Sequence, residues 1–76
     1  MKKVYEKMSE KKIAVIAGHF GEYRKFCADR GDDPKYIYAT EERLRGLTLE
    51  DVVCVGTWYE DHRNHYLLRL AKTRIR

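Results

Sequence analysis

Lys11-Lys12-Ile13-Ala14-Val15-Ile16-Ala17-Gly18 is the stretch that decides the fold. An uninterrupted apolar run of this length, rich in β-branched side chains and stopped by a glycine, has the length of a strand and not of a helix. It shows no alternation, so both faces of the strand must be buried, as they are in parallel sheets covered on both sides. Val52-Val53-Cys54-Val55 repeats the pattern and closes on Gly56. Tyr36-Ile37-Tyr38-Ala39 is a weaker run with polar borders, which places it at a sheet edge.

A helical signal follows each strand. Phe20, Tyr23, Phe26 and Cys27 share one face of a helix that begins at Phe20 or Gly21 and runs to Arg30. Glu22 sits in its first turn, where the helix dipole favours an anion, and Gly31 where a left-handed residue ends a helix. Asp32-Asp33-Pro34 is a turn. Thr40 is an N-cap with Glu41 and Glu42 behind it, and Gly46 stops that short helix after Arg45. The last helix is expected from about Asn64 to Ile75, with Leu67, Leu70, Ala71 and Ile75 as its apolar stripe.

Three strands alternating with three helices imply a parallel sheet with right-handed crossovers. The most apolar strand belongs in the centre, which gives the order 2-1-3. The expected fold is thus α/β: a β-α-β-α-β-α chain forming a three-layer, Rossmann-like single domain over residues 12–76. Residues 1–11, with Val4, Tyr5 and Met8 at helical spacing, read as a basic N-terminal arm or short helix.

The chain has 76 residues, 37% of them charged, and carries a net charge of +4. That charge is unevenly placed. Residues 1–12 hold five basic and two acidic groups, residues 13–61 six basic and ten acidic, and residues 62–76 five basic and none acidic. Basic ends therefore enclose an acidic middle. No apolar run is long enough to span a bilayer, and no apolar leader opens the chain, so no membrane association is expected. Cys27 and Cys54 are too few for a disulfide framework and point to a reducing compartment, the cytoplasm. A chain this short buries a modest fraction of its surface, and a homodimer is one way to bury more.

With strand order 2-1-3, ligands are expected beyond the carboxyl ends of the first and third strands. The residues arriving there are Gly18, His19, Phe20 and Gly21 from one turn and Gly56, Thr57 and Trp58 from the other, with Thr40 nearby. The plain alternative is that both glycines end strands tightly while Phe20 and Trp58 cover the sheet ends. Gly18-His19-Phe20-Gly21 lacks the lysine and hydroxyl of a Walker loop and the full glycine set of a dinucleotide fingerprint. It leaves only the generic anion preference of a helix N-terminus, which Glu22 opposes. Asp61, His62 and His65 resemble part of a metal site, but one histidine pair at i, i+3 lacks the further ligands zinc needs, so no metal or cofactor is expected. Cys27 and Cys54 read as inert core thiols. No nucleophile or carboxylate pair is arranged for catalysis.

Arg63, Arg69, Lys72, Arg74 and Arg76 form the strongest electrostatic feature, with Arg69, Lys72 and Arg76 at i, i+3 and i+7 on one expected stripe. Such a stripe suits phosphate backbones. It equally matches the negative end of a helix dipole.

Ile16-Ala17-Gly18 with Phe20, Asp33-Pro34 leading into Tyr36, Leu44-Arg45-Gly46 and Val55-Gly56-Thr57-Trp58 together resemble a group of small uncharacterised bacteriophage proteins. The resemblance implies half of a Rossmann-like domain and a phage origin, with a bacterial host cytoplasm as the setting. It brings no activity with it. The expected function is a non-enzymatic accessory protein that binds a nucleic acid, weakly and without sequence preference, or a host protein. Two rivals stand beside it. One is a module holding a nucleotide or other anion in the crevice. The other is a protein binder using the aromatics Tyr5, Tyr36, Tyr38, Trp58, Tyr59 and Tyr66.

Overall fold

The computed structural model describes residues 12–75; the arm over 1–11 and Arg76 lie outside the described residues. The element order is β1 (Lys12–Ala17), α1 (Phe20–Ala28), β2 (Tyr36–Tyr38), α2 (Glu41–Arg45), β3 (Leu49–Val55), a 3-10 turn (Trp58–Glu60) and α3 (His62–Lys72). The sheet is parallel with order β2-β1-β3, as the alternation of strand and helix signals requires.

The central strand serves two layers. Ala14 and Ile16 join Ile37, Leu44, Leu49 and Ala71 in the buried cluster under α2 and α3. Val15 is fully buried as well and, by the period of two along a strand, faces the α1 side. This two-sided burial is why β1 reads as a continuous apolar run. Deleting buried methylenes from such a site, Ile16→Ala for example, typically costs about 2–5 kcal/mol.

Local signals end the elements where backbone groups need partners. Thr40 Oγ1 accepts from the Arg43 N–H and caps α2. Asp61 Oδ1 accepts from the Arg63 N–H and caps α3. Gly31 takes φ of +72° after α1, and Asp32 follows it into the left-handed region at +55°. The edge strand β2 is blunted against further pairing. Its Tyr36 N–H donates to the Asp33 carbonyl, and its Tyr36 carbonyl accepts from the Tyr23 hydroxyl at 2.8 Å.

Several boundaries differ from the sequence reading, and β2 stops at Tyr38, one residue short of the expected Ala39. α1 ends at Ala28 rather than Arg30, because Asp29, Arg30 and Gly31 turn back to bond Lys25, Cys27 and Ala28 carbonyls. β3 begins at Leu49, three residues early, after which a bulge sets Ile13 opposite Asp51. α3 spans His62 to Lys72 and does not reach Ile75. Thr73 closes it through its hydroxyl on the Leu70 carbonyl, and Ile75 instead forms a parallel bridge with Leu49. The apolar side chain at 75 therefore serves the sheet edge and not a helix stripe.

Candidate functional site

The carboxyl ends of β1 and β3 do meet. Gly18 and Thr57 approach so closely that a side chain on Gly18 would overlap the Thr57 hydroxyl. The space between them holds the carboxylate of Glu22. Its Oε1 accepts from the Gly18 N–H at 2.8 Å, and its two oxygens accept from the Thr57 N–H at 3.1 and 3.2 Å and from the Thr57 hydroxyl at 3.2 and 3.0 Å. The helix that begins at Phe20 places Glu22 one turn inside, so its side chain folds back over the N-terminus. Gly56, with φ of +60°, leaves room for that carboxylate, since a Cβ there would collide with it.

Partial burial works to raise the Glu22 pKa, but the hydrogen bonds from Thr57 and Gly18 and the nearby His19 ring outweigh it and hold it below the ordinary value. The donors an external anion would use in this crevice are thus engaged by the chain's own carboxylate. His19 stands over it with Nε2 3.6 Å from Glu22 Oε2 and is largely exposed. An open depression above is lined by Gly18, His19, Thr57, Glu60, Asp61, His62 and Arg63.

Asn64 supports this end from below. It is buried, and its Nδ2 donates to the Ala17 carbonyl at 3.0 Å and the Trp58 carbonyl at 2.9 Å. Two carbonyl neighbours decide which end of the amide faces them. β2 ends too early to pair Ala17. The Ala39 N–H donates to the Val15 carbonyl, and the next carbonyl of β1 on that side, Ala17, takes its donor from Asn64 on α3.

The other expected crevice residues separate. Phe20 leans on Tyr23 and Tyr38, at ring distances of 5.4 and 5.1 Å. Trp58 packs against the core cluster, edge-on to Tyr59 and beside His65. Gly21 lies under the His19 ring. Thr40 is not part of the crevice. It follows β2, on the far side of β1, and lines a second depression with Tyr38, Asp61, Arg63, Asn64 and Tyr66. No three His, Cys, Asp or Glu side chains among the described residues gather into a metal-holding group, and His65 Nε2 lies 3.3 Å from the Tyr59 carbonyl instead. Cys27 is buried and Cys54 half-buried, and burial pushes the Cys54 thiol pKa up, away from nucleophilic use.

At the opposite end of the sheet Lys12 and Arg74 meet at Leu49, next to the exposed acids Glu50 and Asp51. Lys12 pairs with Leu49 on one side, and Ile75 bridges Leu49 on the other, with the Leu49 N–H donating to the Arg74 carbonyl at 2.9 Å. Lys12 and Arg74, one residue from each basic segment of the sequence, are therefore placed on either side of Leu49. Arg69 and Lys72 are exposed on the last turns of α3 and form no ion pair among the described residues. The helix stops at Lys72, and Arg76, the third member of the expected stripe, lies outside the described residues. Arg63 is exposed at the other end of α3, about 13 Å away along an axis that rises 1.5 Å per residue. Arg74 is half-buried, and its Nε has no hydrogen-bond partner among the described residues.

No family model, curated protein or solved structure matches this chain. What the site can do must be read from its own geometry.

Glu22 and Asn64 organise the crevice, and the sequence reading gave them lesser parts. Glu22 was legible as a first-turn acid, and in the structure it stands three residues past the N-cap His19, where a Glu can bond back to the chain entering the helix. Nothing local marks Thr57 as its partner. Asn64 has the signature of a helix cap, the role Asp61 fills.

Proposed function

We propose that this chain is a non-enzymatic, phage-type accessory protein that binds the phosphate backbone of a nucleic acid through the basic end of its sheet. The observation that carries this reading is the junction at Leu49, where Lys12 and the Arg74–Ile75 strand end lie on either side of one residue. Lys12 and Arg74 thereby come to one end of the sheet, and Arg69 and Lys72 are exposed on the last turns of α3, which supports a shared attraction to phosphate. Long-range attraction to phosphate depends on such summed charge. No base-reading motif is associated with it, so the binding is weak and indifferent to sequence. A nucleotide in the crevice, by contrast, would have to displace Glu22 from its donors.

The test is a titration of labelled duplex and single-stranded oligonucleotides at several salt concentrations. Affinity should fall with a log–log slope of about −3 on duplex, since each neutralised phosphate contributes about −0.9. Replacing Arg69 and Lys72 together with Gln should flatten the slope by about 2 and leave the fold intact, because both are exposed. Absence of binding at low salt would refute the proposal, and a host protein engaging the same end becomes the reading to pursue.

A further inference from the structure

The two edges of the sheet differ. β2 is three residues long and is blunted at Tyr36. β3 is seven residues long, and its charges are confined to Glu50 and Asp51 near its start. Val52-Val53-Cys54-Val55 carries the unbroken apolar pattern of a strand covered on both faces. All four residues are nonetheless only half-buried, while Ala14, Val15 and Ile16 on the neighbouring β1 are closed from solvent. Val52 and Cys54 lie on the face of the α2 and α3 cluster, and Val53 and Val55 on the opposite face. A long apolar edge of this kind is a template for another strand. We propose that β3 is half of an interface whose other half is the β3 of a second copy, paired antiparallel about a two-fold axis at Cys54. The two three-stranded sheets then join into one.

The backbone shows which groups this edge offers. Ile13 and Val15 turn toward β2, since the Ile13 N–H donates to the Lys35 carbonyl and the Val15 carbonyl accepts from Ala39. Ala14 and Ile16 therefore turn toward β3. They lie level with Val52 and Cys54, so in a parallel ladder they bond the residues on either side of these, Asp51, Val53 and Val55. Val52 and Cys54 are left pointing outward. The Val52 N–H accordingly donates to a side chain, Asp51 Oδ1, at 2.7 Å. The N–H and carbonyl of Cys54 have no backbone partner among the described residues. Ile75 closes the outer side of β3 at Leu49 alone.

Three features select a second copy as the occupant. An outward residue with a free donor and a free acceptor can exchange both bonds with its own image across a two-fold axis. Pairing centred on Cys54 sets Val53 opposite Val55 and Val52 opposite Gly56, and it leaves the Val52 N–H on Asp51. The same pairing carries Glu50 and Asp51 of each copy past the end of the other's strand, whereas an in-register parallel copy would set acid against acid. Finally, the apolar side chains need cover on both faces. A folded copy brings its own α1 and α3 layers to the two faces, which an isolated extended peptide does not.

Sedimentation equilibrium and amide hydrogen exchange of the unaltered chain, each over a concentration series, test the pairing. The mass should rise from one chain to two. Over the same range the Cys54 N–H should slow, by about tenfold where about nine-tenths of the chains are paired, because only the monomer exposes it. Cys54→Pro deletes an N–H that takes no part in the β1 ladder, a position where an edge strand tolerates proline. This variant should stay monomeric at concentrations where the parent chain is a dimer. A monomer at every concentration would overturn the proposal. So would a dimer whose Cys54 N–H exchanges as fast as in the monomer, or one that persists in folded Cys54→Pro. Should the proline variant fail to fold, exchange at Cys54 in the parent chain decides alone.

Discussion

Removing the Asn64 amide should unlock the carboxyl end of the sheet, and the cost can be worked from its two bonds. Asn64→Ala loses donors to the Ala17 and Trp58 carbonyls. Each such bond contributes about 0.5–1.5 kcal/mol net, and a buried carbonyl left without a donor costs about 1–3 kcal/mol. The Trp58 carbonyl is partly exposed and already receives the Asp61 N–H, so water can replace the amide there. The Ala17 carbonyl has no such recourse, since β2 has ended beside it. A total loss of about 2–4 kcal/mol follows. Against a folding free energy of about 4–11 kcal/mol for a domain of this length, that is a large share. The melting temperature should fall by about 10–25 °C. Urea unfolding followed by the fluorescence of the single tryptophan, Trp58, measures it directly. Asn64→Leu should cost as much, because shape without a donor does not satisfy the carbonyl. Asn64→Asp is the sharper test. Its carboxyl pKa is raised by burial against two carbonyls, so this variant should lose stability as pH rises through that value and regain it in acid, when the protonated group again donates. A loss below about 1 kcal/mol for Asn64→Ala, or an Asp variant that weakens in acid like an ordinary domain, would refute the role assigned to this amide.

Three other outcomes follow from the crevice. Glu22 has a lowered folded pKa, so it contributes stability above its unfolded value near 4.5 that is lost as pH falls through the folded value. Thermal melts from about pH 7 to about pH 3 should show Glu22→Gln less acid-sensitive than the parent chain, and equal sensitivity would mean the carboxylate is not held as described. Thr57→Val removes the hydroxyl while leaving the N–H on Glu22, and should raise the Glu22 pKa toward its ordinary value, read by NMR titration. Gly56→Ala places a Cβ at positive φ against the Glu22 carboxylate and should destabilise by about 1–3 kcal/mol in urea unfolding.

What the sequence by itself determined is the topology. The unbroken apolar run at 13–17, the glycines at 18 and 56, Thr40 as a cap and the strand–helix alternation are signals carried within a few residues each. Local backbone preference and burial periodicity act over that same range, so they could be read in order and assembled by the rules for parallel crossovers. The expectation of order 2-1-3 needed nothing further. Tertiary structure decided what the ends of that sheet are for. Glu22 finds Thr57 across 35 residues, and Asn64 finds Ala17 across 47. Both pairings depend on strand register and on where neighbouring strands stop, and no short-range pattern encodes either. The early end of α3 turns Ile75 onto the sheet edge, and with it brings Arg74 to the end of the sheet where Lys12 lies. Charge counted along the chain showed two basic ends around an acidic middle. Only the packing of parallel strands, which all begin at one edge, with a final helix running back to that edge, brings Lys12 and Arg74, one residue of each, to the two sides of Leu49.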